Sequence, residues 1–217
     1  MGNFEVKIRA QKHVFFCMLS VVALLSLAGC SATKFVPDGQ YLLNKATVKV
    51  EDTHEVLSQD LRNYLQQKQN TEILGFWKLQ LGIYNTSSQD TTKWTSRNAR
   101  KIGEPPVIYS EELTERSMQQ LEHAMDNKGY FQAEIDTTKV VKEKKLDLTY
   151  HVTANDPYHI RNYTISFPNT DLQQIAASER FRLLREGMRF DVDLMNQERQ
   201  RIASAMRRNG CYYFDKE

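Results

Sequence analysis

Cysteine is scarce in this chain: among 217 residues there are three, at positions 17, 30 and 211. Cys17 and Cys30 fall in or just behind an apolar N-terminal run, so Cys211 stands alone and no internal disulfide framework can brace the fold. The five His, at 13, 54, 123, 151 and 159, are scattered without ligand spacing or an accompanying Cys or carboxylate cluster, so no metal site is expected. No nucleophile motif, phosphate loop or dinucleotide fingerprint occurs. We therefore assign no catalytic residue and expect neither a cofactor nor a small-molecule substrate. Five Pro and nine Gly are too few for a collagen-like or linker-rich chain.

An excess of one charge is lacking too. The 29 Lys and Arg face 27 Asp and Glu; the first 29 residues hold Lys7, Arg9, Lys12 and Glu5, which leaves 29 − 3 = 26 against 27 − 1 = 26. That balance offers no basic stripe for nucleic acid. The densest basic run, 139–145, lies between two strand-like stretches and reads as a solvated hairpin turn. With 41% hydrophobic and 26% charged residues, the bulk of the chain is globular.

The apolar run "VFFCMLSVVALLSL" spans fourteen residues, 14–27, where a membrane-crossing helix needs about 20. A basic start, a short apolar run and then small residues describe an export signal. "LAGC", 27–30, resembles a bacterial lipobox. In proteins that carry one, the signal is removed before the Cys and that Cys is acylated. Residues 1–29 are then a lipoprotein signal peptide, Cys30 is the lipid attachment site, and 30–39 form a linker; the alternative is an ordinary cleaved signal that happens to precede a Cys. Each acyl CH2 buried in lipid contributes about 0.8 kcal/mol, so more than one chain on a residue anchors stably. No acid follows in "CSATK", which favours an anchor in the outer membrane facing the periplasm.

The chain says one thing twice. "LEHAMDNKGYFQAEID" (121–136) and "IASAMRRNGCYYFDKE" (202–217) place Ala124, Met125, Gly129 and Phe131 opposite Ala205, Met206, Gly210 and Tyr212, an offset of 205 − 124 = 81. Extended backwards, 109–129 matches 190–210 and both are helical in pattern. Ser110 and Asp191 suit the N-cap. Leu113, Leu121, Ala124 and Met125 share a face, as do Leu194, Ile202, Ala205 and Met206. Gly129 and Gly210 suit a left-handed residue at the helix end. Behind Gly129, Tyr130–Val140 reads as a strand. "KLDLTYHVTA" (145–154) puts Leu146, Leu148, Tyr150 and Val152 on one side of another, with a hairpin through 142–144. A second match pairs strand-like 41–50 with 158–167, offset 158 − 41 = 117, each followed by a helix, at 54–69 and 171–184. The first copy therefore carries 117 − 81 = 36 extra residues, an insertion at about 70–106.

These elements give an α+β fold of βααββ units, each a three-stranded mixed sheet with two helices on one face. The first covers 40–155 and the second 156–217. Glu217 aligns with Asp136 (217 − 81 = 136), so the second copy is expected to lack its last strand. On that count the sequence is expected to be an N-terminal fragment, or an interrupted gene product, of a longer protein, with 156–217 a marginal remnant.

"NKGYFQAEI" and its echo "RRNGCYYF" in a βααββ order resemble polypeptide-transport-associated (POTRA) domains. With "LAGC", "KFVPDGQYLL", "ILGFWKLQLGIYN" and "IGEPPVIY", residues 30–217 resemble the lipoprotein, TamL-like branch of the BamA/TamA outer membrane assembly family. The resemblance implies tandem POTRA domains ahead of an outer membrane β-barrel that this sequence lacks. It implies a role in inserting or exporting outer membrane proteins, those proteins as clients and a TamB-like inner membrane partner, with no nucleic acid. It also implies that the strand after the second helix lies at a sheet edge, which makes Tyr130, Phe131, Ala133 and Ile135 the candidate partner-binding residues. The alternative is a periplasmic lipoprotein scaffold or envelope tether with no transport role. "GFWKLQLGIYN" either packs against its own domain or forms a membrane-surface or client-binding segment.

Overall fold

The structure is a computed structural model that describes residues 32–75, 77–88, 92–167, 169–177 and 182–215. The expected signal peptide and Cys30 lie outside the described residues. Three strands, β1 (Leu42–Val50), β2 (Glu134–Lys142) and β3 (Lys145–Thr153), form one sheet in the order β1-β3-β2. The helices are α1 (Ser58–Leu61), α2 (Leu79–Asn85), α3 (Trp94–Ile102), α4 (Glu111–Asn127), α5 (Thr170–Ala176) and α6 (Val192–Arg208), with a 3-10 turn at Arg62–Tyr64.

The sheet is mixed. β2 and β3 are an antiparallel hairpin turning at Glu143, whose φ of 55° is left-handed. β1 runs parallel to β3: Leu42 N–H donates to Lys144 O at 2.8 Å and Glu51 N–H to Val152 O at 3.1 Å. Leu146, Leu148, Tyr150 and Val152 of β3 are all buried, each contributing about 1.5–3 kcal/mol of transfer free energy. β1 breaks strict alternation. Leu42 and Leu43 are buried side by side, then Ala46 and Val48. Outward N–H groups shift parity with them, from Leu43 to Ala46 and Val50, which marks a bulge.

Two compact units make up the described chain. Unit one comprises the described parts of Met1–Ala46, Lys68–Tyr109 and Lys139–Leu148. In it α2 packs on α3, and Val36, Leu42 and Leu81 form a core flanked by Ala32 and Ile108. Unit two comprises Thr47–Gln67, Ser110–Thr138 and the described parts of Thr149–Glu217. Here α4 packs against the 3-10 turn, and α5 against α6.

α4 and α6 are 17 residues each, starting at 111 and 192 (192 − 111 = 81). Ser110 caps one by accepting from Leu113 N–H, Asp191 the other from Leu194 N–H. Gly129 (φ 87°) and Gly210 (φ 98°) follow them. The agreement reaches the tertiary hydrogen bonds. Leu43 N–H to Val107 O recurs as Ile160 N–H to Met188 O, and Tyr109 N–H to Tyr41 O as Phe190 N–H to Tyr158 O, all at 2.8 Å. Ala46 N–H to Gln69 Oε1 recurs as Tyr163 N–H to Glu186 Oε1. Gln66 N–H to Ser117 Oγ recurs as Leu183 N–H to Glu198 Oε2. In these four pairs of bonds, positions up to 69 map by 117 and positions from 107 onward by 81.

Three expected elements differ. The helix at 54–69 shrinks to α1 and the 3-10 turn, because its polar residues bond elsewhere. Gln66 N–H goes to Ser117 rather than to a helical carbonyl, Gln67 Oε1 accepts from Ser110 N–H, and Gln69 reaches Ala46. The helix expected at 171–184 is α5, ending at Ala176, with 178–181 outside the described residues. The strand expected at 158–167 makes a single antiparallel bridge, His159 with Arg189. It reproduces the outer bonds of β1, but no neighbour equivalent to β3 pairs with it among the described residues, and a strand exists only through pairing.

Candidate functional site

The outer side of β1 is occupied by its own chain. After the insertion, "EPPVIY" runs extended and Val107 O and Tyr109 N–H bond the start of β1. Asn70 holds that segment, donating to Pro105 O at 2.7 Å and accepting from Val107 N–H at 3.1 Å. Further along, Gln69 and Ser58 take the N–H groups of Ala46 and Val50. Lys78 of the "FWKLQLG" motif also serves β1. It donates to Asn44 O and, at 2.9 Å, to Asn44 Oδ1, and pairs with Glu72 at 3.7 Å. Burial pushes its pKa below the usual lysine range, against the pull of Glu72.

β2, the other terminal strand, has no strand paired on its outer side among the described residues. Thr137 N–H is taken by the Asp136 carboxylate at 2.7 Å. It is therefore outside the ladder and faces the open edge, and Ile135, two residues back, shares that side. The first half of the strand alternates, with Ile135 and Thr137 half-buried and Glu134, Asp136 and Thr138 exposed. A groove of about 510 Å³ runs along one face, lined by Glu115, Met118, Gln119 and Glu122 of α4 and by Ala133–Ile135. On the other face a groove of about 550 Å³ is lined by Glu51, Asp136, Thr138 and His151 among others. His151 bridges it, Nδ1 at 2.7 Å from Glu51 Oε1 and Nε2 at 3.1 Å from Thr138 Oγ1.

The four expected site residues separate. Ala133 and Ile135 line the first groove. Tyr130 and Phe131 precede the strand, which starts at Glu134 rather than Tyr130 and runs to Lys142. Tyr130 is 1% exposed. Its N–H donates to Met125 O, its OH lies 3.4 Å from Thr53 Oγ1 and Glu55 Oε2, and the Arg189 guanidinium sits 5.2 Å over its ring. Phe131 meets Tyr158 edge-on at 5.2 Å and Phe190 at 5.3 Å. Both hold the turn that launches β2, and neither belongs to the edge. Sequence reasoning missed Asp52, whose carboxylate accepts from Ala154 and Asn155 N–H at 2.7 Å and closes the end of β3. Partial burial pushes its pKa up, but those donors outweigh it and hold the carboxyl below its ordinary range. Nothing in the local pattern at 52 announces a bond to residues a hundred positions away. Among the described residues no helix is long and apolar enough to cross a membrane.

The family described as POTRA, surface antigen variable number repeat, matches residues 46–155. A crystal structure of Haemophilus influenzae BamA POTRA3-5 is similar at 13% identity, covering 81% of this chain and 89% of that one, with a TM-score of 0.26. No curated protein sequence matches the chain.

Proposed function

The chain belongs to the POTRA family, and we propose that it is a periplasm-facing binding module of an outer membrane assembly protein of BamA/TamA type, which takes up an extended segment of a client or partner along the open edge of β2. The observation that carries this is the asymmetry of the sheet edges. β1 is covered by Val107, Tyr109, Gln69 and Ser58, whereas β2 ends the sheet. An uncovered edge offers unpaired N–H and C=O groups to an added strand. An incoming carbonyl would replace the Asp136 carboxylate on Thr137 N–H. The groove beside Met118 and Ile135 would receive alternate apolar side chains, and its rim of Glu115, Glu122 and Glu134 favours a segment that brings Lys or Arg.

In this reading Cys30 is the acylated N-terminus, residues 156–217 belong to a second POTRA-like copy, and the role is binding rather than catalysis. The recurrence of tertiary hydrogen bonds at the 81 and 117 offsets supports the second copy. Outer membrane proteins as clients and a TamB-like partner follow from the family resemblance. The test is photo-crosslinking in cells from a probe at Thr137 against one at Lys49 on β1. Crosslinks to client or partner are expected from 137 alone and should weaken with Ile135→Pro, which deletes an outward donor. Equal yields from both positions, or none from 137, refute the proposal.

A further inference from the structure

We propose that the insertion in unit one is a membrane-contact surface that rests on an anionic phospholipid bilayer. Both Trp of the chain lie in it and both are exposed, Trp77 at 44% and Trp94 at 70%. In the same insertion Leu74, Leu79 and Ile102 are also exposed. Trp beside aliphatic side chains is the composition of a bilayer interface, where an amphipathic ring sits at headgroup depth.

Helix α3 adds the charge. Its sequence WTSRNARKI contains no acid and follows Lys93. Trp94, Arg97 and Lys101 are exposed and spaced three and four apart, so they share one face. Arg100 is occupied inward, with Nη2 donating to Ser88 O at 3.1 Å and its guanidinium over the Tyr84 and Phe35 rings. Ser96, buried at 3% exposure, lies on the far side of α3 from these three, so Trp94, Arg97 and Lys101 occupy the solvent-facing side.

The same sign extends over the unit. Residues 32–46, 68–109 and 139–148 hold 12 Lys and Arg against 6 Asp and Glu, 12 − 6 = +6, while 47–67, 110–138 and 149–217 hold 14 against 20, 14 − 20 = −6. The mature chain is neutral as a whole and basic in the unit where its N-terminus enters. Ala32 packs against the unit-one core, and Cys30 is two residues before it, within about 8 Å of chain. An acyl anchor on Cys30, which is the proposed reading above, would hold this unit at the bilayer, where polybasic surfaces are attracted to anionic lipid.

The test uses the mature chain, residues 30–217 with Cys30→Ala, so that it does not depend on acylation. Vesicles of phosphatidylcholine alone are compared with vesicles that also contain phosphatidylglycerol. Trp fluorescence reports from the insertion and nowhere else. A blue shift is expected with the anionic vesicles, reversed by salt. Arg97→Glu with Lys101→Glu should lower partitioning on the order of tenfold or more with unchanged far-UV circular dichroism. Trp94→Ser is a second variant, with Trp77 as the remaining probe, and should also bind more weakly. No shift on anionic vesicles, equal binding to neutral ones, or unchanged partitioning of both variants overturns the proposal. Anchoring is read separately, by fractionation of Cys30→Ala in cells.

Discussion

Glu198 sits inside unit two at 1% exposure, and its replacement by Ala tests what holds the α5–α6 region together. Its carboxylate accepts from Arg201 Nε at 2.7 Å and Nη2 at 2.8 Å, from Leu183 N–H at 3.0 Å and from Tyr163 OH at 3.0 Å. In the Ala variant Arg201, mostly buried, keeps only Ala176 O as a hydrogen-bond acceptor among the described residues, and Leu183 N–H loses its acceptor. Breaking a buried pair from one side costs about 3–5 kcal/mol, out of about 5–15 kcal/mol for a whole domain. Ser117, the equivalent in α4, is a neutral comparison. Ser117→Ala strands Gln66 N–H and costs about 1–3 kcal/mol. Amide exchange over 192–208 should accelerate by roughly two to four powers of ten in Glu198→Ala. Trp fluorescence, which reports unit one, is the internal control. Adding Arg201→Ala should recover part of the loss, since the uncompensated cation is then gone. Exchange in Glu198→Ala within about tenfold of the parent, or about 1.4 kcal/mol, would refute the reasoning.

Gly129→Ala should cost more than Gly210→Ala in a denaturant titration: both have left-handed φ, worth about 1–2 kcal/mol, but a Cβ at 129 would lie 2.5 Å from Phe190 O while one at 210 meets nothing within 4 Å. Equal costs would show that the contact with Phe190 is not what selects glycine there. Burial, then the bond to Glu198, pushes Tyr163 up to about 12. Its stabilising share is therefore complete below about pH 10 and lost as pH rises through about 12, which ultraviolet titration of Tyr163→Phe against the parent measures. Asp52, held low by Ala154 and Asn155 N–H against its partial burial, contributes above about pH 4 and loses that share as pH falls through its lowered value; Asp52→Asn should flatten the acid limb of stability. Cys30→Ala should leave the protein unprocessed or soluble, and unchanged outer membrane fractionation would remove the anchor from the proposal.

Local chemistry made much of this protein legible. Ser110 and Asp191 cap their helices, Gly129 and Gly210 are left-handed, and the 146–152 alternation is the buried face of β3, because each is decided within a turn or a pleat. The two offsets, read from a few side chains, hold for the tertiary hydrogen bonds as well. The helix expected at 54–69 failed because Gln66–Gln69 find partners in distant segments, Ser117, Ser110 and Ala46, that no local pattern records. Strand propensity alone puts Tyr130 and Phe131 on the edge, because it does not say where a strand begins. The turn that buries Tyr130 depends on Arg189 and Glu55, far along the chain. Which sheet edge is open was also beyond the sequence, since a strand's outer groups are covered or bare according to where a connection such as 104–109 comes to lie. What the sequence determined by itself was local: the capped starts of α4 and α6, the left-handed glycines behind them and the alternation of β3, whose causes act over a few residues. The pairing of edges, the burial of Glu198 and the exposure of the insertion were decided by the tertiary structure, because each depends on groups that meet only after the chain has closed.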